Sequence, residues 1–130
     1  MKNLLSKRTL NKYSRQIILK DVGIIGQKKI FNSKILVVGA GGLGSPVIDL
    51  LVRAGVGFLG VIEDDKVDYS NLHRQTLYDY NDVGKYKSDV IRKKIKLINN
   101  KIRLKIFKER ANDKNLSKIL PKFDIIVDGT

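Results

Sequence analysis

The residues best suited to chemistry form a glycine-rich turn with the spacing of a phosphate-binding loop. Gly39 is expected to permit a tight turn, Gly41 to let phosphates approach the backbone, and Gly44 to let a helix pack closely on a strand. The N-terminus of that helix would offer free N–H groups and partial positive charge to an anion. The turn alone leaves NAD, FAD, S-adenosylmethionine and ATP as possible ligands. It reads Val38-Gly39-Ala40-Gly41-Gly42-Leu43-Gly44.

One carboxylate and two cations follow this turn. Glu63 ends the next apolar run, where a carboxylate can accept a hydrogen bond from a ribose hydroxyl. Arg74 and Lys87 come later, and such cations stabilise the negative charge that develops on phosphates during phosphoryl or nucleotidyl transfer. Hydride transfer has no need of two cations there. The residues therefore favour a transferase over a nicotinamide- or flavin-dependent oxidoreductase, which remains the alternative.

The elements that must position these residues are those of an α/β fold. Apolar runs predict strands at 34–38, 58–62, 102–107 and 123–128, and helical spacing predicts helices at 45–54, 85–98 and 112–120. We expect a Rossmann-like parallel sheet of strand order 3-2-1-4 with helices on both faces. Two short helices within 11–32, interrupted by Gly23 and Gly26, should precede it, and 66–85 should form a long functional loop.

Composition indicates one domain spanning residues 1–130. The chain has no cysteine and no run near the roughly 20 apolar residues of a membrane span, which favours a cytoplasmic protein without membrane contact. Its 26 Lys and Arg against 13 Asp and Glu give a formal charge of +13. These cations are spread along the chain without interleaved aromatic residues, so nucleic acid is not the expected partner.

Several motifs in one order resemble the N-terminal half of the ThiF/MoeB/HesA adenylyltransferases, relatives of the ubiquitin-activating enzymes. The resemblance covers about residues 12–130. Apart from the glycine turn, its motifs are Tyr13-Ser14-Arg15-Gln16-Ile17, Ala54-Gly55-Val56-Gly57, the S-N-L-x-R-Q string at 70–75, Val83-Gly84 with Lys87, and Val127-Asp128-Gly129-Thr130.

The resemblance implies an ATP-dependent enzyme that adenylates the C-terminal glycine carboxylate of a small ubiquitin-like sulfur-carrier protein and releases pyrophosphate. It implies that Gly42 lies against the nucleotide, that Glu63 holds the ribose, and that Arg74 and Lys87 neutralise phosphates. Arg15 resembles an arginine supplied to the opposite subunit of a homodimer. The remaining residues implied to line the triphosphate are Ser70, Asn71, Leu72 and His73.

Two departures from the family pattern limit what carries over. Family members usually have aspartate at the position of Glu63. Their D-x-T-D-N motif has a second aspartate that helps bind Mg²⁺, and here it would follow Thr130, so no metal ligand is assigned within the chain. Zinc is expected only if a following half carries Cys-x-x-Cys pairs. We therefore expect an incomplete domain that is impaired by itself.

Other interpretations stay open at the level of sequence. A Rossmann module that binds without catalysis is one, and a related enzyme that adenylates a modified tRNA base is another. Whether a carrier would serve thiamine, molybdenum cofactor or another sulfur pathway is not encoded in these residues.

Overall fold

The computed structural model describes residues 6–130, so the first five residues of the predicted 1–130 domain lie outside it. None of the helices in this range is long and apolar enough to cross a membrane. Short 3-10 turns occur at Tyr69–Asn71, Tyr80–Asp82 and Leu120–Lys122. The regular elements are α1 (Lys7–Lys12), α2 (Ser14–Ile17), α3 (Gly23–Asn32), β1 (Lys34–Val38), α4 (Gly44–Ala54), β2 (Phe58–Ile62), α5 (Lys87–Ile98), β3 (Arg103–Phe107), α6 (Asp113–Ile119) and β4 (Ile125–Asp128).

The four strands form one parallel sheet in the order β3-β2-β1-β4, which confirms the predicted topology. Strand β1 lies between β2 and β4, with Leu36 opposite Gly60 on one side and Ile126 on the other. A strand flanked on both sides and covered on both faces must be apolar throughout. This explains the uninterrupted run of apolar residues that ends at the glycine turn.

Helices cover both faces of the sheet, as predicted. Alternate β1 residues point to opposite faces because side chains in a strand alternate. Val37 joins a core that includes Val52 of α4 and Ile91 of α5, whereas Leu36 joins a smaller core with Ile119 of α6. The two cores fix the carboxyl ends of the strands, where the candidate site lies.

The two helices predicted within 11–32 are α2 and α3, and among the described residues a further short helix, α1, precedes them. Tyr13 separates α1 from α2, and Gly23, with φ of 59°, begins α3. Gly26 lies inside α3 and does not interrupt it. Glycine tolerates a helix interior at a modest cost, so only the glycine with left-handed φ acts as a break.

Helix α4 is fastened at its far end to the N-terminal helices. Gly55 ends it in the left-handed conformation, with φ of 94°, directly after the predicted end of the helix at residue 54. The carbonyl of Ala54 accepts hydrogen bonds from Nε2 of Gln16 at 2.8 Å and from Nε2 of Gln27 at 3.0 Å. These two amides replace the intrahelical donors that a helix end lacks.

Candidate nucleotide-binding site

A cleft of about 550 Å³ opens at the carboxyl edge of the sheet. Residues that follow all four strands line it, together with the 66–85 loop and the start of α5. Parallel sheets place ligands at this edge. Its polar and turn-forming lining consists of Gly39, Gly41, Gly42, Glu63, Asp64, Asp65, Arg74, Gln75, Lys87, Glu109, Arg110, Gly129 and Thr130.

The glycine turn has the geometry that its spacing predicts. Gly39 has a φ of 86°, and its N–H donates to the carbonyl of Ile62 over 2.9 Å. A Cβ on Gly44 would lie 1.8 Å from the Gly39 carbonyl oxygen, so only glycine allows α4 this close to the end of β1. Gly44 is buried beneath the turn, while Gly41 and Gly42 border the cleft.

Glu63 and Lys87 form a buried ion pair in the wall of the cleft. Lys87 Nζ lies 3.7 Å from Glu63 Oε1, and the two side chains are only 5% and 9% exposed. The same carboxylate accepts from the Ala40 N–H at 3.2 Å and from the Asp64 N–H at 3.1 Å. Glu63 thus ties the glycine turn to the end of β2. The predicted ribose contact of Glu63 and phosphate contact of Lys87 remain predictions.

Tyr78 supports the turn from below, and its role is not apparent in the sequence. Its hydroxyl donates to the carbonyl of Ala40 over 2.7 Å. Burial, followed by the nearby carboxylates of Glu63 and Asp82, raises the pKa of Tyr78 well above its ordinary value. The hydroxyl therefore stays protonated and keeps donating at all physiological pH values.

Hydrogen bonds within the 68–74 segment shape the predicted triphosphate loop. Asp68 accepts from the Ser70 hydroxyl and N–H at 2.5 and 2.8 Å, which lowers the pKa of Asp68, and its own N–H donates to Asn71 Oδ1. His73 Nδ1 lies 3.0 Å from the Ser70 carbonyl, so this side chain contacts the backbone of its own loop. Arg74 Nη1 also donates to that carbonyl, at 3.2 Å.

Only part of this loop reaches the cleft. Arg74 lines it, with Cδ and Nε 3.3 Å from where a Cβ on Gly42 would lie. Leu72 packs on the core below. Ser70, Asn71, Leu72 and His73 are not among the lining residues, and their phosphate contacts stay predictions.

Several residues that line the cleft were not predicted from the sequence. Glu109 and Arg110 follow β3, and Gln75 is a buried neighbour of Arg74. Glu109 and Arg110 could have been identified from their position just after the end of a predicted parallel strand. Arg15 is exposed on α2 and does not line this cleft.

Asp128 shapes the last turn at the cleft edge. It accepts hydrogen bonds from the Thr130 hydroxyl at 2.7 Å and the Thr130 N–H at 3.1 Å, and these bonds lower its pKa. The adjacent Gly129 N–H donates to the Val38 carbonyl over 2.8 Å. Asp128 therefore orients the loop after β4.

Comparison with known proteins places this geometry in a family. The model of the ThiF family matches residues 13–130. The sulfur carrier protein adenylyltransferase of Thermus thermophilus is 44% identical over 125 residues, which are 96% of this chain and 46% of that protein. The adenylyltransferase and sulfurtransferase UBA4 of Vanderwaltozyma polyspora is 41% identical over 97% of this chain and 29% of its own length.

Solved structures show the same fold. E. coli MccB with ATP superposes with a TM-score of 0.74 at 33% identity, over 80% of this chain and 31% of MccB. MccB with AMPCPP and MccA gives 0.79 at 32% identity, over 89% and 36% of the two chains. The chain spans less than half of the length of each of these proteins. With its motifs, sheet order and glycine turn, this chain belongs to the ThiF family.

Proposed function

We propose that residues 1–130 are the nucleotide-binding half of an adenylyltransferase that uses ATP to activate a small ubiquitin-like sulfur-carrier protein. The observation that carries this proposal is that Arg74 and Lys87 share one cleft with the glycine turn. A ligand there meets backbone N–H groups and two fixed cations, which suits a triphosphate. Arg110 adds a third cation to the lining.

The polar groups of the cleft fit a nucleotide. Each oxygen of Glu63 accepts one hydrogen bond from the backbone, and a carboxylate has about four acceptor sites, so capacity remains for a ribose hydroxyl. Gly42 would lie against the nucleotide, and the loop from Ser70 to His73 would border the phosphates.

Mg²⁺ fits the same edge of the cleft. Carboxylate oxygens of Glu63, Asp64 and Asp65 lie within 4.8 Å of one another, and Mg²⁺ prefers such oxygen ligands. Because Glu63 is already paired with Lys87, the exposed Asp64 and Asp65 would face a phosphate-bound ion. The metal would neutralise phosphate charge. Zinc would belong only to a following half with Cys pairs.

The proposed reaction is a nucleotidyl transfer. A carboxylate oxygen of the carrier's C-terminal glycine attacks the α-phosphorus of ATP and forms an acyl-adenylate. The bond from that phosphorus to the bridging oxygen breaks, and pyrophosphate leaves with the electron pair. Arg74 and Lys87 would stabilise the charge that moves onto the leaving group. No proton changes hands in this step.

The direct test has two parts, binding and exchange. We expect the chain to bind ATP more tightly than NADH in a calorimetric titration, and Arg74→Ala to weaken ATP binding about tenfold or more, since a hydrogen-bonded charge is lost. Lys96→Ala is the matched control, because Lys96 is exposed on α5 away from the cleft lining. Tighter binding of NADH would favour an oxidoreductase instead.

Exchange is tested in a longer relative, because the chain spans 46% of the length of that protein. A chimera in which this chain replaces the matching part of the T. thermophilus relative should catalyse ATP–pyrophosphate exchange with that relative's sulfur carrier. Exchange that depends on tRNA would favour the tRNA-modifying alternative. If the chimera binds ATP but catalyses no exchange with any carrier, the chain is a binding module without catalysis, and the proposal is contradicted.

A cytoplasmic homodimer is the proposed working form, with Arg15 entering the partner's cleft. In the chimera, Arg15→Ala and Arg74→Ala should each lose most exchange activity. When the two variants are mixed in equal amounts, half of the dimers contain one subunit of each, and each of these dimers has one intact site out of two. The mixture should therefore recover about a quarter of the wild-type activity. Failure to recover any activity would contradict a shared site.

A further inference from the structure

Three shallow hollows adjoin one another at the amino edge of the sheet, which is the edge opposite the cleft. One lies where β1, β2 and β3 begin, and the next shares Lys101 with it and is also lined by α1. The third shares Arg8 with the second and continues along α1. The cations that line these hollows form what we call the amino-edge patch: Lys7, Arg8, Lys12, Lys101 and Arg103.

The amino-edge patch is cationic throughout. No Asp or Glu lines any of the three hollows. All five cations are exposed, and within residues 6–130 none of them forms an ion pair. They lie far apart along the sequence, at 7–12 and 101–103, but folding brings them to one face. Such a face attracts a polyanion.

Hydrogen bonds and packing hold the two halves of the patch in place. The side-chain amide of Asn99 donates to the Val52 carbonyl over 3.2 Å, and its oxygen accepts from the Lys101 N–H over 3.2 Å. On the other half, Tyr13 at the end of α1 is 6% exposed and lies against Gly55. Both halves are therefore anchored to the C-terminal end of α4, which keeps their cations on a common surface.

The neutral polar side chains of the hollows narrow the chemistry of the partner. They are hydroxyls and amides, namely Ser6, Thr9, Asn11, Ser14, Asn32, Ser33 and Asn100. Together with Arg and Lys, such side chains make most of the contacts to the phosphates and sugars of nucleic acids. Protein–protein interfaces are instead depleted in Lys and Ser and enriched in aromatic residues. The composition of the patch thus favours a phosphodiester backbone over an acidic protein.

The aromatic residues of the patch are poorly placed to stack on bases. Phe31 and Phe58, which line the hollow at the strand starts, are half-buried. Phe58 packs on Phe123 with ring centroids 5.3 Å apart, and the Arg103 guanidinium lies 5.1 Å from the Phe58 centroid. Single strands are bound largely through stacking, whereas a duplex keeps its bases inside. This feature favours a duplex over a single strand.

The hydroxyls and amides of the patch distinguish RNA from DNA. Their oxygens can accept a hydrogen bond, and the 2′-hydroxyl of RNA is a donor that the DNA backbone lacks. Proteins recognise double-stranded RNA mainly through its phosphates and 2′-hydroxyls rather than through its sequence. A duplex RNA therefore matches the charge, the polar lining and the buried rings of the patch.

We propose that the amino-edge patch binds the sugar-phosphate backbone of double-stranded RNA. Its cations contact phosphates, and its amides and hydroxyls contact 2′-hydroxyls. The patch shares no residue with the cleft, and since β1 has five residues the two edges of the sheet lie about 16 Å apart. The RNA is thus a second partner and not the substrate of the cleft, so this inference does not rest on the proposed function.

The test follows the fluorescence anisotropy of a labelled RNA duplex of about 20 base pairs at several salt concentrations. The variant Arg8→Ser/Lys12→Ser/Lys101→Ser removes three of the five cations and keeps the surface polar. Each lost phosphate contact flattens the slope of log K against log salt concentration by about 1. The slope should therefore flatten by about 3, and binding at about 0.1 M salt should weaken about a hundredfold.

A charge-matched variant separates the patch from the net charge of the chain. Arg92→Ser/Lys93→Ser/Lys118→Ser also removes one arginine and two lysines, all exposed on helices outside the three hollows. It should weaken binding of the RNA duplex less than about threefold, because salt screens charges that do not touch the ligand. Both triple variants should keep the wild-type Tm within about 2 °C, as exposed substitutions usually do.

Each outcome decides the inference. Equal losses in the two triple variants mean that binding follows net charge alone and overturn it. It is also overturned if the wild-type chain binds single-stranded RNA or a DNA duplex of the same sequence as tightly as the RNA duplex, or binds no RNA at about 0.1 M salt. Tighter binding to polyglutamate or to phosphatidylserine vesicles assigns the patch to an acidic protein or a lipid surface and overturns it too.

Single variants keep the test decisive if the triple variant of the patch fails to fold. Arg8→Ser and Lys101→Ser should each flatten the salt slope by about 1, and an unchanged slope in both contradicts the inference. None of these results bears on the proposed function, which the ATP titration tests separately.

Discussion

Gly44 leaves no room for a side chain, so replacing it by alanine is a direct test of the turn. An added Cβ would lie 1.8 Å from the carbonyl oxygen of Gly39 and 2.7 Å from its carbonyl carbon. Real Cβ contacts stay above 3.0 Å, so the start of α4 must move by about 1.2 Å or more from the end of β1. The obstacle is backbone, which cannot rotate away as a side chain can.

The expected cost of Gly44→Ala follows from what surrounds it. On one side, the Gly39 N–H is hydrogen-bonded to the Ile62 carbonyl, which holds Gly39 in place. On the other side, Gly129 packs so closely that a Cβ on it would lie 3.0 Å from Gly44 Cα. Overpacking a close-packed interior costs about 1–3 kcal/mol. Since no neighbour can yield, we expect the upper end, about 3 kcal/mol, which lowers the Tm by about 10 °C in a chain of this length.

Thermal unfolding followed by circular dichroism measures this change, with Gly26→Ala as the control. Its Cβ would lie 3.2 Å from Val22 Cγ1, on a side chain that can shift, and at an ordinary 3.8 Å from the Asp21 carbonyl oxygen. Alanine also favours a helix interior by up to about 1 kcal/mol. The control should stay within about 1 kcal/mol of wild type. Gly44→Ala should also bind ATP less tightly below its Tm. A Tm within about 2 °C of wild type would refute the reasoning.

Two further stability predictions concern contacts outside the cleft. Gly55→Ala should cost about 1–3 kcal/mol in urea unfolding, because φ is 94° and its Cβ would lie 2.8 Å from Tyr13 Cζ; an unchanged midpoint would contradict this. Lys94 Nζ donates a hydrogen bond to the Asp79 carboxylate over 2.9 Å, and this bond is the main cause of the lowered pKa of Asp79. A carboxyl group whose pKa is lower in the folded chain than in the unfolded chain stabilises the fold at pH values above the unfolded pKa, which is about 3.9 for aspartate. This stabilisation is lost as the pH falls through the folded pKa. Lys94→Met should therefore lower the Tm more at pH 7 than at pH 3, and equal losses would rule this out.

The sheet could be predicted from the sequence because its signals are local. The apolar run at 34–38 and the glycine at its end are sufficient to identify β1, and Gly55 marks the end of α4. Parallel connections then admit few strand orders. The break at Tyr13 was missed, since a helix interrupted at a single residue leaves no pattern in the apolar spacing.

The arrangement within the cleft was less predictable, because it depends on where side chains point after folding. Glu63 and Lys87 were predicted as separate ligand contacts, yet they pair with each other at 3.7 Å. Tyr78 and Gln75 sit in a segment without periodicity, so nothing in their spacing predicts that they support or face the glycine turn.

The motif strings at 13–17 and 54–57 are two sides of one contact. Tyr13 lies against Gly55, and Gln16 bonds the Ala54 carbonyl. Helix α4 has 11 residues, so its far end lies about 16 Å from the phosphate turn at its start. Because Arg15 is next to Gln16 at that far end, its side chain is too short to reach the turn of its own chain. This supports the proposal that Arg15 acts in the cleft of a second copy.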